Sequence, residues 1–306
     1  MTGANKTVII VAGPTAAGKT SVGIDLAKRF DTAIISADSR QCYREMNIGV
    51  ARPSAAELEE VPHYFIASHS VQDNVSAAVF GQYALEKVNH IFLKKDVAVM
   101  VGGTGLYIRA FCEGMDEIPG IPSSIRDMLQ QQYDHHGLEW LRQQLQEKDP
   151  QAHLFKEIQN PQRVMRALEV VMATGKSILD FQKGEKTARP FRVIKTALTL
   201  PRPELYERIN QRVVSMMEKG LLDEVRQLQP FRNLNALQTV GYQELFDYLD
   251  GNISLAEAVA QIQQNTRRYA KRQLTWFRKD EAYSWFSPGQ VQEMYRHCLH
   301  KMSETG

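Results

Sequence analysis

The chain is poor in several features that mark whole classes of protein. Only three of its 306 residues are cysteine, Cys42, Cys112 and Cys298. None has a partner at short spacing, so no framework of disulfides can form, and a reducing compartment, the cytoplasm, is expected. Nowhere do about 18 apolar residues run together, the length a membrane-spanning helix needs. Met1 to Lys6 lead into a short β-branched run rather than a signal-type apolar stretch, so neither a leader nor a membrane span is expected. A large charge of one sign is also missing. Lys and Arg number 37 against 35 Asp and Glu, and a net charge of +2 by itself says nothing for nucleic acid. There is no internal repeat and no low-complexity tail.

What is present is enough for a packed core: 43% of the residues are hydrophobic, and the length suits one large domain or two ordinary ones. Thr7-Val8-Ile9-Ile10-Val11-Ala12 reads as a buried strand, and Thr20 to Phe30 has helical periodicity through Val22, Leu26 and Ala27. A second strand is expected over Thr32 to Ala37, ending at Asp38, and a third over Val97 to Val101, ending at Gly102-Gly103-Thr104-Gly105. Strands alternating with helices predict an α/β fold with a parallel sheet, whose ligands gather at the carboxyl ends of the strands. After Pro119-Gly120-Ile121-Pro122 the pattern turns helical and glutamine-rich. Leu138, Leu141 and Leu145 mark one helix. Asn160, Pro161 and Gly175 supply the N-cap, first turn and C-terminal stop of another, whose stripe is Val164, Leu168 and Val171. Residues 119–190 are therefore read as a helical insertion in a core made of residues 1–118 and 191–306. Val193 to Leu200 returns to the sheet, and the remainder is largely helical.

The turn between the first strand and helix, Gly13-Pro14-Thr15-Ala16-Ala17-Gly18-Lys19-Thr20, has a task for each position. Gly13 and Gly18 let backbone N–H groups close around phosphate oxygens, Lys19 supplies a point charge, and the Thr20 hydroxyl can ligate Mg²⁺ at the helix N-terminus. The motif does not say which phosphate compound binds. A hydrolase or kinase would offer a strand-terminal acid for the metal, yet the third strand ends in glycines and Thr104. Asp38 could fill that post, serve as a base toward a second substrate, or act as a turn aspartate; Ser39, Arg40 and Gln41 beside it favour a functional cluster. Glycines on both sides would bring Thr104 close to a ligand.

Six basic residues and one acidic one fall between Gln261 and Asp280. At helical spacing Val259, Ile262, Thr266, Ala270, Leu274 and Phe277 make one stripe, while Arg267, Arg268, Lys271, Arg272, Arg278 and Lys279 lie opposite. A basic face with Tyr269 and Trp276 beside it suits RNA or DNA phosphates as well as it suits plain solvation. Arg163 with Arg166, and Arg208 with Arg212, are further helically spaced pairs that could clamp phosphate or lie on the surface.

Together with Asp38-Ser39-Arg40-Gln41 and Tyr43, Ile48-Gly49, Val101 to Tyr107, Arg163 to Glu169, Val240-Gly241-Tyr242 and Lys271 to Arg278, the phosphate loop completes a series of motifs. By that ordered series the chain resembles the bacterial tRNA dimethylallyltransferases, the tRNA isopentenyl-transfer family. Departures are small: Cys42 stands where an aliphatic residue is usual, and Arg52 where a lysine is commoner. Cys298 has no cysteine nearby, unlike the zinc-finger extension of eukaryotic members.

The resemblance implies a P-loop NTPase-like fold and transfer of the dimethylallyl group of dimethylallyl diphosphate to N6 of adenosine 37 of tRNA, beside the anticodon. Asp38, Thr104 and Arg212 would be the catalytic residues: Asp38 the base toward N6, Thr104 a hydrogen-bond donor to the departing diphosphate, and Arg212 a charge on it. Gly13 to Thr20 would bind the diphosphate, with Arg208 in reserve and Mg²⁺ at Thr20. Asp38 to Gln41, Arg126, Gln162, Arg163, Val164, Met165, Arg166 and the stretch Lys271, Arg272, Gln273, Leu274, Thr275, Trp276, Phe277 and Arg278 would touch tRNA. A monomer is expected. An adenylate isopentenyltransferase, a small-molecule P-loop kinase and a non-catalytic or ATPase RNA-binding module are the competing readings. The insertion and the long basic helix argue for tRNA over free AMP.

Overall fold

The computed structural model describes residues 6–154, 159–182, 184 and 186–304. It divides into two compact units, Met1–Gly114 with Ala188–Gly306, and Met115–Thr187.

In the larger unit the β-branched run forms β1 (Thr7–Ala12), every residue of it buried. It is followed by α1 (Lys19–Arg29), β2 (Ile34–Ser36), α2 (Ala55–Glu60), β3 (His63–Tyr64), α3 (Ala77–Phe92), β4 (Val97–Gly102) and α4 (Gly105–Glu113). The sheet order is β3-β2-β4-β1, continued by two strands from after the small unit, and every described strand pairing is parallel. Because β1 is covered on both faces, its residues alternate between two cores rather than between core and water. Val8 and Ile10 pack toward α3 and α4, and Ile9 and Val11 toward α1.

The smaller unit holds α5 (Ser123–Lys148), α6 (Pro150–His153), α7 (Pro161–Thr174) and α8 (Ile178–Phe181). The helix expected from Leu138, Leu141 and Leu145 is the second half of α5, which is broken at Gly137 where φ is +74°. Asn160 caps α7 by accepting the Gln162 N–H at 3.0 Å, and Gly175 ends it in the left-handed region. Leu129, Leu141, Leu145, Val164, Met165 and Leu168 form the core of this unit.

Of the expected boundaries, 119 lies inside the observed small unit, which begins at Met115, and 190 lies beyond its end at Thr187. Arg189 donates to the carbonyls of Phe111 at 2.7 Å and Ala110 at 3.3 Å, and Phe191 stacks on Phe111, so this stretch belongs to the larger unit. That unit then continues through β5 (Arg192–Leu198), α9 (Arg202–Glu218), α10 (Leu221–Leu228), α11 (Gln243–Leu249), α12 (Leu255–Phe277), β6 (Ser284–Phe286) and α13 (Val291–Ser303). Two edge strands, β3 and β6, go beyond the sequence reading, and β2 is shorter than the run from Thr32 to Ala37.

Candidate active site

The loops after β1, β2 and β4 meet at the carboxyl end of the sheet. The Ala37 N–H donates to the Val101 carbonyl at 2.7 Å, and the Thr104 N–H to the Ala37 carbonyl at 3.2 Å. Gly102 has no room for a Cβ, which would collide with the Ala37 backbone. Asp38 is thereby carried to the edge of the phosphate loop.

A cavity of about 270 Å³ opens there. One set of lining residues is polar and cationic: Thr15, Ala16, Gly18, Lys19 and Thr20 of the phosphate loop, with Asp38 and Arg212. A second set is apolar: Ile34, Val50, Pro53, Ile66 and Val101. Tyr269 and Gln273 of α12 also line it, as do Glu57 and His63.

Gly18 takes φ +84° to turn the loop into α1, leaving the first amides of that helix facing the cavity as an anion cradle. The Lys19 ammonium donates to the Pro14 carbonyl at 2.7 Å. Burial, reinforced by Arg212 and opposed by Asp38, lowers it to about 8. A bound phosphate oxygen would replace the carbonyl as partner and favour the charged form. Arg212 reaches the Thr15 hydroxyl at 3.5 Å. Burial pulls its guanidinium below the ordinary value, and the Asp38 carboxylate opposes that shift. Arg208 is not brought to this cavity: one turn earlier on α9, it is exposed and paired with Glu204 at 2.9 Å.

Asp38 Oδ1 accepts the backbone N–H of Arg40 at 2.9 Å and of Gln41 at 3.3 Å. The turn role and the cavity position therefore coexist in one carboxylate. Thr104 is tied to the same turn: its hydroxyl accepts the Ser39 N–H at 3.1 Å and donates to the Ser39 hydroxyl at 3.4 Å. Burial and the Asp38 charge push the Tyr269 phenol up to about 12. The Gln41 side chain is spent locally, donating to the carbonyls of Val50 at 3.3 Å and Ala51 at 3.0 Å and accepting from Ser36 at 3.1 Å.

Of the residues expected to face RNA, Lys271, Arg272, Thr275 and Trp276 are exposed on α12, Arg278 at its C-terminal cap, and Gln162 and Arg163 on α7, while Ser39, Arg40 and Leu274 are half-buried. Four others are corrected. Val164 and Met165 are buried in the smaller unit's core, Phe277 packs on Tyr283 in the larger one, and Gln273 is buried on α12, lining the cavity rather than the outer face of the helix. A contiguous stretch of helix cannot present every residue to one partner, because successive side chains are about 100° apart. Arg126 and Arg166 remain together, both bonded to the buried Glu169 at 3.1 and 2.9 Å.

Some site residues leave no motif in the sequence. Val50, Pro53 and Ile66 of the apolar wall carry no motif of their own, and the only signal was the proximity of Val50 and Pro53 to Ile48-Gly49.

A phosphate cradle at the carboxyl end of a parallel sheet, joined to an apolar recess and a carboxylate, defines a P-loop-like enzyme acting on a phosphorylated, partly apolar compound. Residues 41–280 match the IPP transferase family, and the chain belongs to that family. It is 46% identical over 300 residues to a tRNA dimethylallyltransferase of Cytophaga hutchinsonii, covering 98% of this chain and 99% of the relative. A second protein so named, from Bacteroides thetaiotaomicron as tRNA dimethylallyltransferase 1, is 45% identical with 94% of each chain covered. Among solved structures, the tRNA isopentenylpyrophosphate transferase of Bacillus halodurans aligns with TM-score 0.72 and 36% identity over 98% of both chains. A eukaryotic dimethylallyltransferase acting on tRNA aligns with TM-score 0.71 and 25% identity, over 89% of this chain and 69% of that one.

Proposed function

We propose that the chain transfers the dimethylallyl group of dimethylallyl diphosphate to N6 of the adenosine at position 37 of tRNA, releasing diphosphate. The observation that carries this reading is the joining, in one cavity, of a cationic phosphate end (Lys19, Arg212) to an apolar recess (Ile34, Val50, Pro53, Ile66, Val101), with Asp38 at the edge.

The Lys19 ammonium, the loop amides and Arg212 hold the diphosphate and offset the charge that grows as the C1–O bond breaks. Thr104 orients the leaving group together with Tyr269. The adenine N6 lone pair forms the new bond to C1, and the Asp38 carboxylate accepts the proton that N6 sheds, an effect of about 10²–10⁴-fold in general base catalysis. The acceptor base reaches the cavity by leaving the anticodon-loop stack, which is inexpensive in a single-stranded loop.

Thr20, the second residue of α1 and a lining residue, fits Mg²⁺. Its hydroxyl is a hard oxygen donor, and among the described residues no cluster of three His, Cys, Asp or Glu competes for a softer metal. Magnesium suits such a sparse site because it keeps waters and takes substrate phosphate oxygens. When bound, it supplies charge neutralisation of the diphosphate. The exposed cations of α12 and the pair Arg163 and Arg166 support binding of tRNA phosphates, which gives position and affinity rather than base choice.

The test is incubation with Mg²⁺, labelled dimethylallyl diphosphate and either tRNA or AMP. Label is expected in tRNA at one adenosine. Label in AMP alone, or consumption of ATP in its place, would overturn the proposal.

A further inference from the structure

Two stretches that carry the family resemblance, Ile48-Gly49 and Val240-Gly241-Tyr242, take no part in the chemistry above, and they meet at Glu224 on α10. Its carboxylate accepts three successive backbone N–H groups, those of Asn47 at 3.0 Å, Ile48 at 2.7 Å and Gly49 at 3.0 Å. Oε1 also accepts the Tyr242 hydroxyl at 2.6 Å. Tyr242 is fully buried, and its ring lies so close to Gly49 that any Cβ there would come within 2.6 Å of it. Arg52, at the other end of the loop, donates to the Tyr43 carbonyl at 2.7 Å. The segment from Asn47 to Pro53 is therefore tied down by Glu224, far away in sequence, and by its own Arg52, although it has no regular structure.

We propose that Glu224 is a positioning residue that holds the 47–53 loop as the wall against which the five-carbon chain of the prenyl donor packs. The loop supplies Val50 and Pro53 to the apolar recess, and its Val50 and Ala51 carbonyls hold the Gln41 side chain in the same cavity. Neither Glu224 nor any of these four hydrogen-bond partners lines the cavity, so its effect reaches the donor through that wall. An ionised carboxylate suits the task because it is acceptor-only and faces four donors; a glutamine would turn an NH₂ donor against some of them.

The inference rests on the donor-site reading above, and its test separates the two. Glu224→Gln and Tyr242→Phe are compared with the unaltered protein for four quantities: the KM of dimethylallyl diphosphate, inhibition by inorganic diphosphate, binding of an anticodon stem-loop RNA, and Tm. For Glu224→Gln the KM is expected to rise about tenfold, the size of one lost charge-assisted hydrogen bond. Inorganic diphosphate has no chain to pack, so its inhibition constant should stay within about twofold, as should RNA affinity. Tyr242→Phe, which removes one donor of four, should move the KM in the same direction by less. A fall in Tm with unchanged KM in the folded fraction would make Glu224 merely structural and overturn the proposal. Equal weakening of inorganic diphosphate, or a shift in RNA affinity instead of KM, would overturn it as well. Absence of prenyl transfer by the unaltered protein would instead count against the proposed function.

Discussion

Gln273 accepts the Thr15 N–H at 2.8 Å and, through Nε2, donates to the Gly103 carbonyl at 2.8 Å. One buried amide on α12 thus ties the phosphate loop to the glycine loop after β4, while Arg272 before it and Thr275 two residues after it face solvent. The helix that carries the exposed cations is also the brace of the donor site.

Replacing Gln273 should therefore disturb the donor side. Gln273→Ala leaves the buried Gly103 carbonyl without its partner, at about 1–3 kcal/mol, and frees the part-buried Thr15 N–H. Gln273→Glu keeps the acceptor for Thr15 but sets a carboxylate against the Gly103 carbonyl and beside the bound diphosphate. We expect both variants to lower Tm, and the Glu variant to weaken inhibition by inorganic diphosphate more than the Ala variant does. Inhibition curves superimposable on the wild type would show that the brace does not act on the loop.

Arg212 and Arg208 should separate sharply. Arg212→Ala removes a cation that lines the cavity and should reduce turnover by about 10²–10³-fold, the scale of losing a preorganised charge at a leaving group. Arg208→Ala breaks only an exposed pair with Glu204, worth under about 1 kcal/mol, and activity should stay within about twofold. Steady-state rates of the two variants under identical Mg²⁺ decide it, and similar losses would return Arg208 to the site.

Much of the site is legible in the chain because it lies in local motifs. The phosphate loop, Asp38 and Thr104 each follow directly on a β-branched strand, and parallel-sheet topology then brings the strand ends together. The edge strands β3 and β6 are only two and three residues long, too short to show a period. The apolar wall and Glu224 escape for another reason: contacts such as that of Glu224 with Ile48 span 176 residues and leave no local trace. Motif boundaries also mislead, as with Gln273 and Phe277, which share a contiguous stretch with exposed cations yet point inward.

The pH dependence of stability should report Lys19. Its ammonium is lowered from 10.5 to about 8, chiefly by burial. Between those values the unfolded chain holds a proton that the folded one has released, so this group's contribution to stability rises with pH across that window. Below about 8 the full cost of the enclosed cation is present. Lys19→Met should accordingly raise Tm without ligand near pH 7, and the gain should shrink as pH approaches 10. Thermal melts at both pH values check this, and a pH-independent gain would mean that packing rather than charge is responsible. The same variant should lose transfer activity.

On the RNA side, Lys271 is exposed on the outer face of α12. If it meets a phosphate, Lys271→Ala should weaken binding of the anticodon stem-loop at low salt and reduce the slope of log K against log salt by about one. Binding isotherms at several salt concentrations give that slope directly. An unchanged slope would make the face a solvated one.

Asp38 carries two duties that a suitable replacement can part. Asparagine keeps an Oδ1 able to accept the Arg40 and Gln41 N–H groups, so Asp38→Asn should preserve the turn, but the amide cannot take a proton from N6. Asp38→Ala removes both. Transfer should fall by about 10²–10⁴-fold in the Asn variant, the usual scale for a lost general base, while Tm and RNA affinity remain near those of the wild type. The Ala variant should be no more active and should also lose stability, because the two amides lose their acceptor. Single-turnover transfer measured beside Tm for both variants distinguishes the duties. A nearly active Asn variant would confine Asp38 to its turn and require another group to receive the N6 proton.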